Sequence, residues 1–390
     1  MNTAVTTRAS SLRPKSCCPG EVVWCRPTWI GAPLSEAAGS ITVVNATFTT
    51  PPRPVDVTAL FPRLAPLART ATRLHPRPGA PTVHDSSVGG PLLWPAGEPW
   101  PYCDEPHDRH ATRVVHSPDD IRLLRRVRAA AAERLRLDPE APQRTPEEQA
   151  TWERIGVGRP WFDGPIPLLP VAQLYARDVP FPRPADADLL QVLWCPFDHA
   201  ERPHPRTALF WRSSATVTDI LDAPPEPPVV QDGSYLPEPC LFSPEQVTDF
   251  PHPGELDEEL RAQLEDAGRW GTIDPARYGM DDPGELYLGS LSTAPGWKTG
   301  GWSSWGDIDP VDRPCPECGT EAVPLLTIAS SEWDGIGASW IAEEEPANPA
   351  PPPLGARDGN FTLIDIVGGY HLQLHACPAD PSHPHIELVQ

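Results

Sequence analysis

The sequence predicts an α+β fold built as two related half-domains, with antiparallel or mixed sheets, few helices and a zinc-knuckle turn in the C-terminal half. Three observations carry that expectation: breaker residues that cut the chain into short pieces, a small number of well-capped helix starts, and a motif that occurs twice. The 390 residues include 55 prolines and 28 glycines. Proline lacks an amide donor and glycine costs backbone entropy, so long helices and long unbroken strands are disfavoured. A hydrophobic content of 39% with 14 tryptophans still suffices for a core, which excludes disorder of the whole chain.

In chain order, residues 1–54 lack sustained periodicity and end in the turn-rich Thr50-Pro51-Pro52-Arg53-Pro54. They read as a disordered leader, with Cys17, Cys18 and Cys25 as unpaired thiols on it. A first half-domain is expected over 55–211, with a helical insertion at 117–156. There Ser117-Pro118-Asp119-Asp120 supplies a cap, a proline at the first helical position and an acidic first turn. Ile121, Leu124, Val127, Ala131 and Leu135 then form one stripe, with arginines facing solvent. Thr145-Pro146-Glu147-Glu148 opens a second helix, closed by Gly156, and Ser243-Pro244-Glu245-Gln246 has the same grammar. Leu256, Leu260 and Leu264 mark a helix ending near Gly268, inside a connector over 212–296. Strands are expected at Leu168 to Leu174, Leu189 to Trp194, Ala208 to Trp211, Pro324 to Ile328, Thr362 to Val367 and His371 to Ala376. Ala223 to Pro228 and Ala342 to Pro353 read as extended loops. The second half-domain covers 297–390.

The repeat relates the halves. Gly89-Gly90-Pro-Leu-Leu-Trp94 matches Gly300-Gly301-Trp-Ser-Ser-Trp305 at an offset of 211, and Pro167-Leu168-Leu169 resembles Pro324-Leu325-Leu326. Leu190 to Asp198 matches Leu372 to Asp380 with five identities in nine, at an offset of 182. Three matches in one order point to an internal duplication.

The strongest chemistry is Cys315-Pro316-Glu317-Cys318-Gly319, in which two thiolates on a tight turn can share one ion. Cys377 and His383 complete a Cys3His set, with His375 and His385 as substitutes for the fourth ligand. Thiolate and imidazole donors with no open position favour structural zinc. A redox dithiol is the rival reading, but such pairs open a helix, and this one precedes a glycine turn. The repeat extends the expectation: adding 211 to His107 gives 318, and adding 211 to Cys103 gives 314. A second Cys2His2 site is therefore expected from Cys103, His107, Cys195 and His199, with His110 and His204 as alternates.

The charge is −22 overall, yet residues 1–80 carry nine cationic against three anionic groups, leaving −28 on the rest. Such a body repels phosphate backbones, so nucleic acid is not an expected partner, and single-stranded binding on the tryptophans fails for the same reason. No membrane-spanning run and no apolar signal segment is present in the sequence, so the expectation is a cytoplasmic protein whose nine cysteines are thiols or metal ligands.

Gly89-Gly90-Pro-x-x-Trp94-Pro95, then Pro167-Leu-Leu-Pro-Val-Ala-Gln173-Leu174, then Gly300-Gly301-Trp302, resemble the bacterial YwqG-like family. The resemblance covers residues 55–390 and implies an α+β fold with no established enzymatic activity. This chain adds the insertion 103–160, the connector 212–296 and its cysteine pairs. No nucleophile elbow, phosphate loop, dinucleotide fingerprint or His-Glu-x-x-His helix occurs. The leading expectation is a zinc-stabilised module that binds an unknown protein partner. Trp297, Trp302 and Trp305 beside Lys298 are either part of that surface or, for two of the three, core. The alternative is a zinc-dependent hydrolase in which Cys103, His107 and Cys195 leave an open position and Asp104, Glu105 or Asp198 is the base.

Overall fold

Short antiparallel strands, crossed twice by the chain, organise the molecule. The computed structural model describes residues 47–390 except 110, 111, 113, 200, 201, 307, 334–336 and 347–356. The strands are β1 (Arg69–Arg73), β2 (Arg77–Pro78), β3 (Ser87–Val88), β4 (Tyr102–Cys103), β5 (Ile166–Pro167), β6 (Leu169–Tyr175), β7 (Leu189–His199) and β8 (Arg202–Arg212). They continue with β9 (Cys240–Leu241), β10 (Glu245–Asp249), β11 (Lys298–Gly300), β12 (Val323–Ile328), β13 (Leu372–Ala376) and β14 (Ile386–Val389). One sheet has the order β10-β1-β11-β12-β13-β14, the other β2-β9-β3-β6-β7-β8, and β4 pairs with β5. The main helices are α1 (Val57–Leu60), α2 (Pro118–Leu137), α3 (Pro146–Gly156), α4 (Glu258–Glu265) and α5 (Pro283–Leu286). Few helices and antiparallel sheets make the expected α+β class. Among the described residues no helix is long and apolar enough to cross a membrane.

Four neighbouring strands of each sheet follow the same order. β3-β6-β7-β8 and β11-β12-β13-β14 stand side by side in the same order. Gly89 and Gly300 both take a left-handed turn at the end of the first of these strands, with φ of +60° and +66°. The ladder shifts register between Pro170 and Ala172 in β6, and between Pro324 and Leu326 in β12. Proline has no amide to donate, so a bulge forms at each. These bulges equate Pro170 with Pro324, so the match of Pro167-Leu168-Leu169 to Pro324-Leu325-Leu326 is three residues out of register. Gln191 Nε2 donates to the Leu93 carbonyl at 3.0 Å, and Gln373 Nε2 donates to the Ser304 carbonyl at 2.6 Å.

Among the described residues the chain passes between the two six-stranded sheets only at 74–76 and 242–244, where the Ser243 amide donates to the Leu74 carbonyl at 2.8 Å. One core joins both sheets: Val88, Val171, Leu190 and Trp194 pack in the same cluster as Leu325, Ile328, Leu372 and Leu374. Residues 212–296 therefore do more than connect. They supply β9 between β2 and β3, they supply the edge strand β10, and α4 buries Leu260 and Leu264 in a second cluster with Val57, Phe61 and Leu64.

Several local expectations change. Residues 1–46, with Cys17, Cys18 and Cys25, lie outside the described residues. The rest of the expected leader is bonded: the Thr50 amide donates to Glu245 at 2.9 Å, and Arg53 stacks on Trp340 at 3.6 Å. Ser243-Pro244-Glu245-Gln246 opens a strand, not a helix. The segment Glu245–Asp249 has side chains alternating in exposure, and Glu245 lies opposite Arg73 in the ladder. A helix cap without a stripe to bury does not hold a helix. Thr362 to Val367 is a turn segment; Leu363 and Val367 have φ of +53° and +46°, and only Ile366 bridges, to Tyr370. The arginine face of α2 is in part a fastening: Arg125 donates to Glu238 at 3.0 Å and to the Gly233 carbonyl at 2.9 Å. Trp297 and Trp305 are buried in the core, while Trp302 is half-buried under Arg69.

Candidate metal centres

Both expected ligand sets assemble. In each tetrad the four donor atoms lie within 4.8 Å of one another. A tetrahedral ion with bonds of roughly 2.0–2.3 Å needs donors about 3.3–3.8 Å apart, and two donor pairs in each tetrad, at 3.2 to 3.4 Å, are near that spacing.

The first tetrad is fixed by β4 and β7. Cys103 ends β4, held opposite Ile166, and His107 follows one loop later, bridging to His199. Cys195 lies inside the bulge between Trp194 and Asp198, and His199 follows it. That bulge lets two residues four apart in a strand face one point. Cys103 Sγ lies 3.3 Å from His199 Nε2, and Cys195 Sγ lies 3.2 Å from His107 Nε2. Cys103, Cys195 and His199 are buried and His107 is half-buried. The sulfurs compete for one proton: a hydrogen bond from Cys195 holds Cys103 far below the usual thiol range, while burial pushes Cys195 far above it. Two sulfurs so close can both be thiolates only with a cation between them.

The second tetrad is a knuckle. The Gly319 amide donates to the Cys315 carbonyl and the Cys315 amide to the Thr320 carbonyl, both at 2.8 Å, and Gly319 has φ of +73°. Burial raises the Cys315 thiol, but the amides of Cys318 and Glu317 outweigh it and hold the group low. Cys318 is held near 6 by the Thr320 hydroxyl. Cys318 Sγ lies 3.4 Å from Cys377 Sγ, and Cys315 Sγ lies 3.4 Å from His383 Nδ1. On the far side of the ring, Nε2 faces Glu317 at 3.5 Å and Asp380 at 3.9 Å. Carboxylates behind a histidine fix which nitrogen meets the metal. Glu317 and Asp380 had no assigned role in the sequence, although both lie inside the ligand motifs.

The alternates are engaged elsewhere. His375 is fully buried against the Ser303 hydroxyl at 2.9 Å and pushed down to about 3 by burial. His385 meets the Thr207 hydroxyl at 2.7 Å, and His204 meets the Pro205 carbonyl at 2.9 Å. His110 lies outside the described residues. Asp198 is not a free base: it accepts from the Tyr235 hydroxyl at 2.8 Å and from Gln231 at 2.6 Å. All six cysteines among the described residues are free thiols. The two tetrads use five of them; Cys240 is buried, with its thiol pushed up to about 12 by burial.

A cleft of about 320 Å³ opens on the first tetrad, lined by Cys103, Asp104, Glu105, His107, Arg109 and Trp161 to Pro165. A larger one of about 1200 Å³, bounded by α2, Trp333 and Phe361, includes no tetrad residue. No protein-family model matches the chain, and no curated protein matches it. Two Cys/His groups able to hold a metal ion are what the geometry establishes.

Proposed function

We propose that the chain is a cytoplasmic, zinc-stabilised protein-interaction module, a YwqG-like protein with two zinc sites produced by internal duplication. The observation that carries this reading is the gathering of four protein ligands in each tetrad. Sulfur and imidazole donors in fours suit zinc better than calcium, magnesium or manganese. The equal strand orders, the paired proline bulges and the Gln191 and Gln373 hydrogen bonds support duplication. The −22 charge supports a partner with a basic face, held more weakly as salt rises. Native mass spectrometry of the full chain tests the metal reading: two zinc ions per chain are expected, one removes the twin site, and none overturns the reading.

The cleft beside the first tetrad favours a second reading, a zinc-dependent hydrolase with Asp104 or Glu105 as base. Ester turnover lost in Asp104→Asn with zinc retained would support it; turnover absent from the two-zinc protein would dismiss it.

A further inference from the structure

Each half carries an insertion that the other lacks. The first half has residues 104–165, with α2 and α3, inside its β4–β5 hairpin, where the second half has the short knuckle with Pro314 bridging to Glu321. The second half joins β12 to β13 through residues 329–371, where the first joins β6 to β7 through 176–188. The two insertions meet at the cleft of about 1200 Å³. There α2 contributes Arg122, Arg125 and Arg126, the later insertion contributes Trp333, Phe361 and Leu363, and Leu169 and Pro170 of β6 lie between them in the lining. Segments added to a rigid scaffold are where binding sites are commonly built, and this cleft takes side chains from both.

The lining is shaped as well as apolar. Gly359 has φ of +71°, and a Cβ there would lie 2.9 Å from the Trp333 indole, so glycine is what lets the ring rest on that backbone. Phe361 meets the same indole edge-on, with ring centroids 5.9 Å apart. Leu363 takes a left-handed φ of +53°, a conformation that costs a leucine roughly 1–2 kcal/mol; strain of this kind clusters at ligand sites. Eight of the described lining residues are prolines, which have no amide to donate, so a ligand cannot readily pair there as an extra strand. Recognition then falls to side chains. Arg122 pairs with Glu226, Arg125 with Glu238, Arg357 with Asp365 and Glu345 with Arg77. Two charged lining groups have no partner among the described residues: Arg126 and Asp358, both exposed. One spare cation and one spare anion beside an apolar surface fit a ligand that carries both charges on an apolar body. A fatty acid leaves Asp358 unanswered, and an alkylamine leaves Arg126. The volume exceeds the roughly 300–1,000 Å³ of most small-molecule sites, which favours several linked residues over a single amino acid.

We propose that this cleft binds a short apolar peptide with free ends, its terminal carboxylate facing Arg126 and its terminal ammonium facing Asp358. The apolar side chains of the peptide rest on Trp333, Phe361 and Leu169. The cleft includes no tetrad residue, so the inference stands or falls apart from the zinc reading.

The test measures binding of trileucine to the full chain by equilibrium dialysis. Expected is one peptide per chain, with binding weakened about tenfold when its carboxylate is amidated and about tenfold when its amine is acetylated. Arg126→Gln should weaken trileucine by a similar factor, after which amidation costs nothing further. Asp358→Asn should do the same for acetylation. Both groups are exposed, so neither substitution removes a core contact. Ala129→Trp, which fills the cleft from an exposed position on α2, should abolish binding. Octanoate, an apolar acid without the ammonium, should bind more weakly than trileucine and be indifferent to Asp358→Asn. No trileucine bound, equal binding of the blocked peptides, binding retained in Ala129→Trp, or octanoate bound as tightly as the peptide would each overturn the proposal.

Discussion

Lys298 Nζ donates to Asp249 Oδ2 at 2.8 Å with both side chains wholly out of solvent. The pair joins β11 to β10 across β1, and Asp249 also accepts the amides of Ala294 and Trp302. Burial lowers the Lys298 pKa while Asp249 opposes that shift. Removing one member leaves a buried charge uncompensated, so Lys298→Met should cost about 3–5 kcal/mol in urea unfolding. Asp249→Leu should cost more, because it also orphans two amides. Equal costs would mean that the amides find other partners.

Gly301 has φ of +70°, and a Cβ there would collide with Asp249 and lie 2.7 Å from that of Ala71. Gly301→Ala should therefore destabilise beyond the ~1–2 kcal/mol that a left-handed backbone alone costs a side chain, read as a fall in melting temperature. Gly271, with φ of +63° but open space around it, should show the smaller, conformational cost alone.

Removing ligands should separate the two centres. Cys103→Ser is expected to lower bound zinc from two ions to one while the knuckle keeps its metal. Cys377→Ser should do the converse and free the turn at Cys315, whose tetrad takes its third sulfur from the residue after β13. Chelation of the parent should lower the melting temperature steeply, since structural zinc contributes on the order of 10 kcal/mol to its module. A chain whose melting is indifferent to chelator would show that neither ion is structural.

Asp120 is the third residue of α2 and accepts from Arg159 at 2.6 and 3.0 Å and from Ser117 at 2.8 Å. The Arg159 guanidinium is the largest cause of a carboxyl pKa held near 2. A depressed folded pKa gives stability that is present above about pH 4 and lost as the pH falls toward 2. Asp120→Asn should remove ~1–2 kcal/mol at neutral pH, a figure reduced because Arg159 is half in solvent, and should flatten the stability profile between those limits.

The eight tetrad residues were legible because each pair is local: Cys315 with Cys318, Cys103 with His107, Cys195 with His199, and Cys377 with His383. The Cys315 knuckle called for a second pair, and the repeat then pointed to the first-half four. The strand partners were not legible, because pairings such as Arg73 with Glu245 join residues far apart in the chain. The same distance hid the division of the sheets at 74–76 and 242–244. Ser243-Pro244-Glu245 misleads because a capping serine and a proline suit the start of an edge strand as well as of a helix. Thr362 to Val367 misleads for a different reason. Ile364 and Ile366 are fully buried, as strand residues would be, but they reach the core from a turn.

The two crossings between sheets set a schedule for synthesis. Residues 77–241 contain every strand of their sheet, so a nascent chain can pair them as they emerge. β1 is made first, yet its neighbours β10 and β11 begin 172 and 225 residues after it ends, and Phe61 and Leu64 wait for Leu260, Trp270 and Leu286. The earliest described segment is thus among the last to be secured. Until then its apolar side chains and a bare strand are open to chaperones, proteases and other nascent chains.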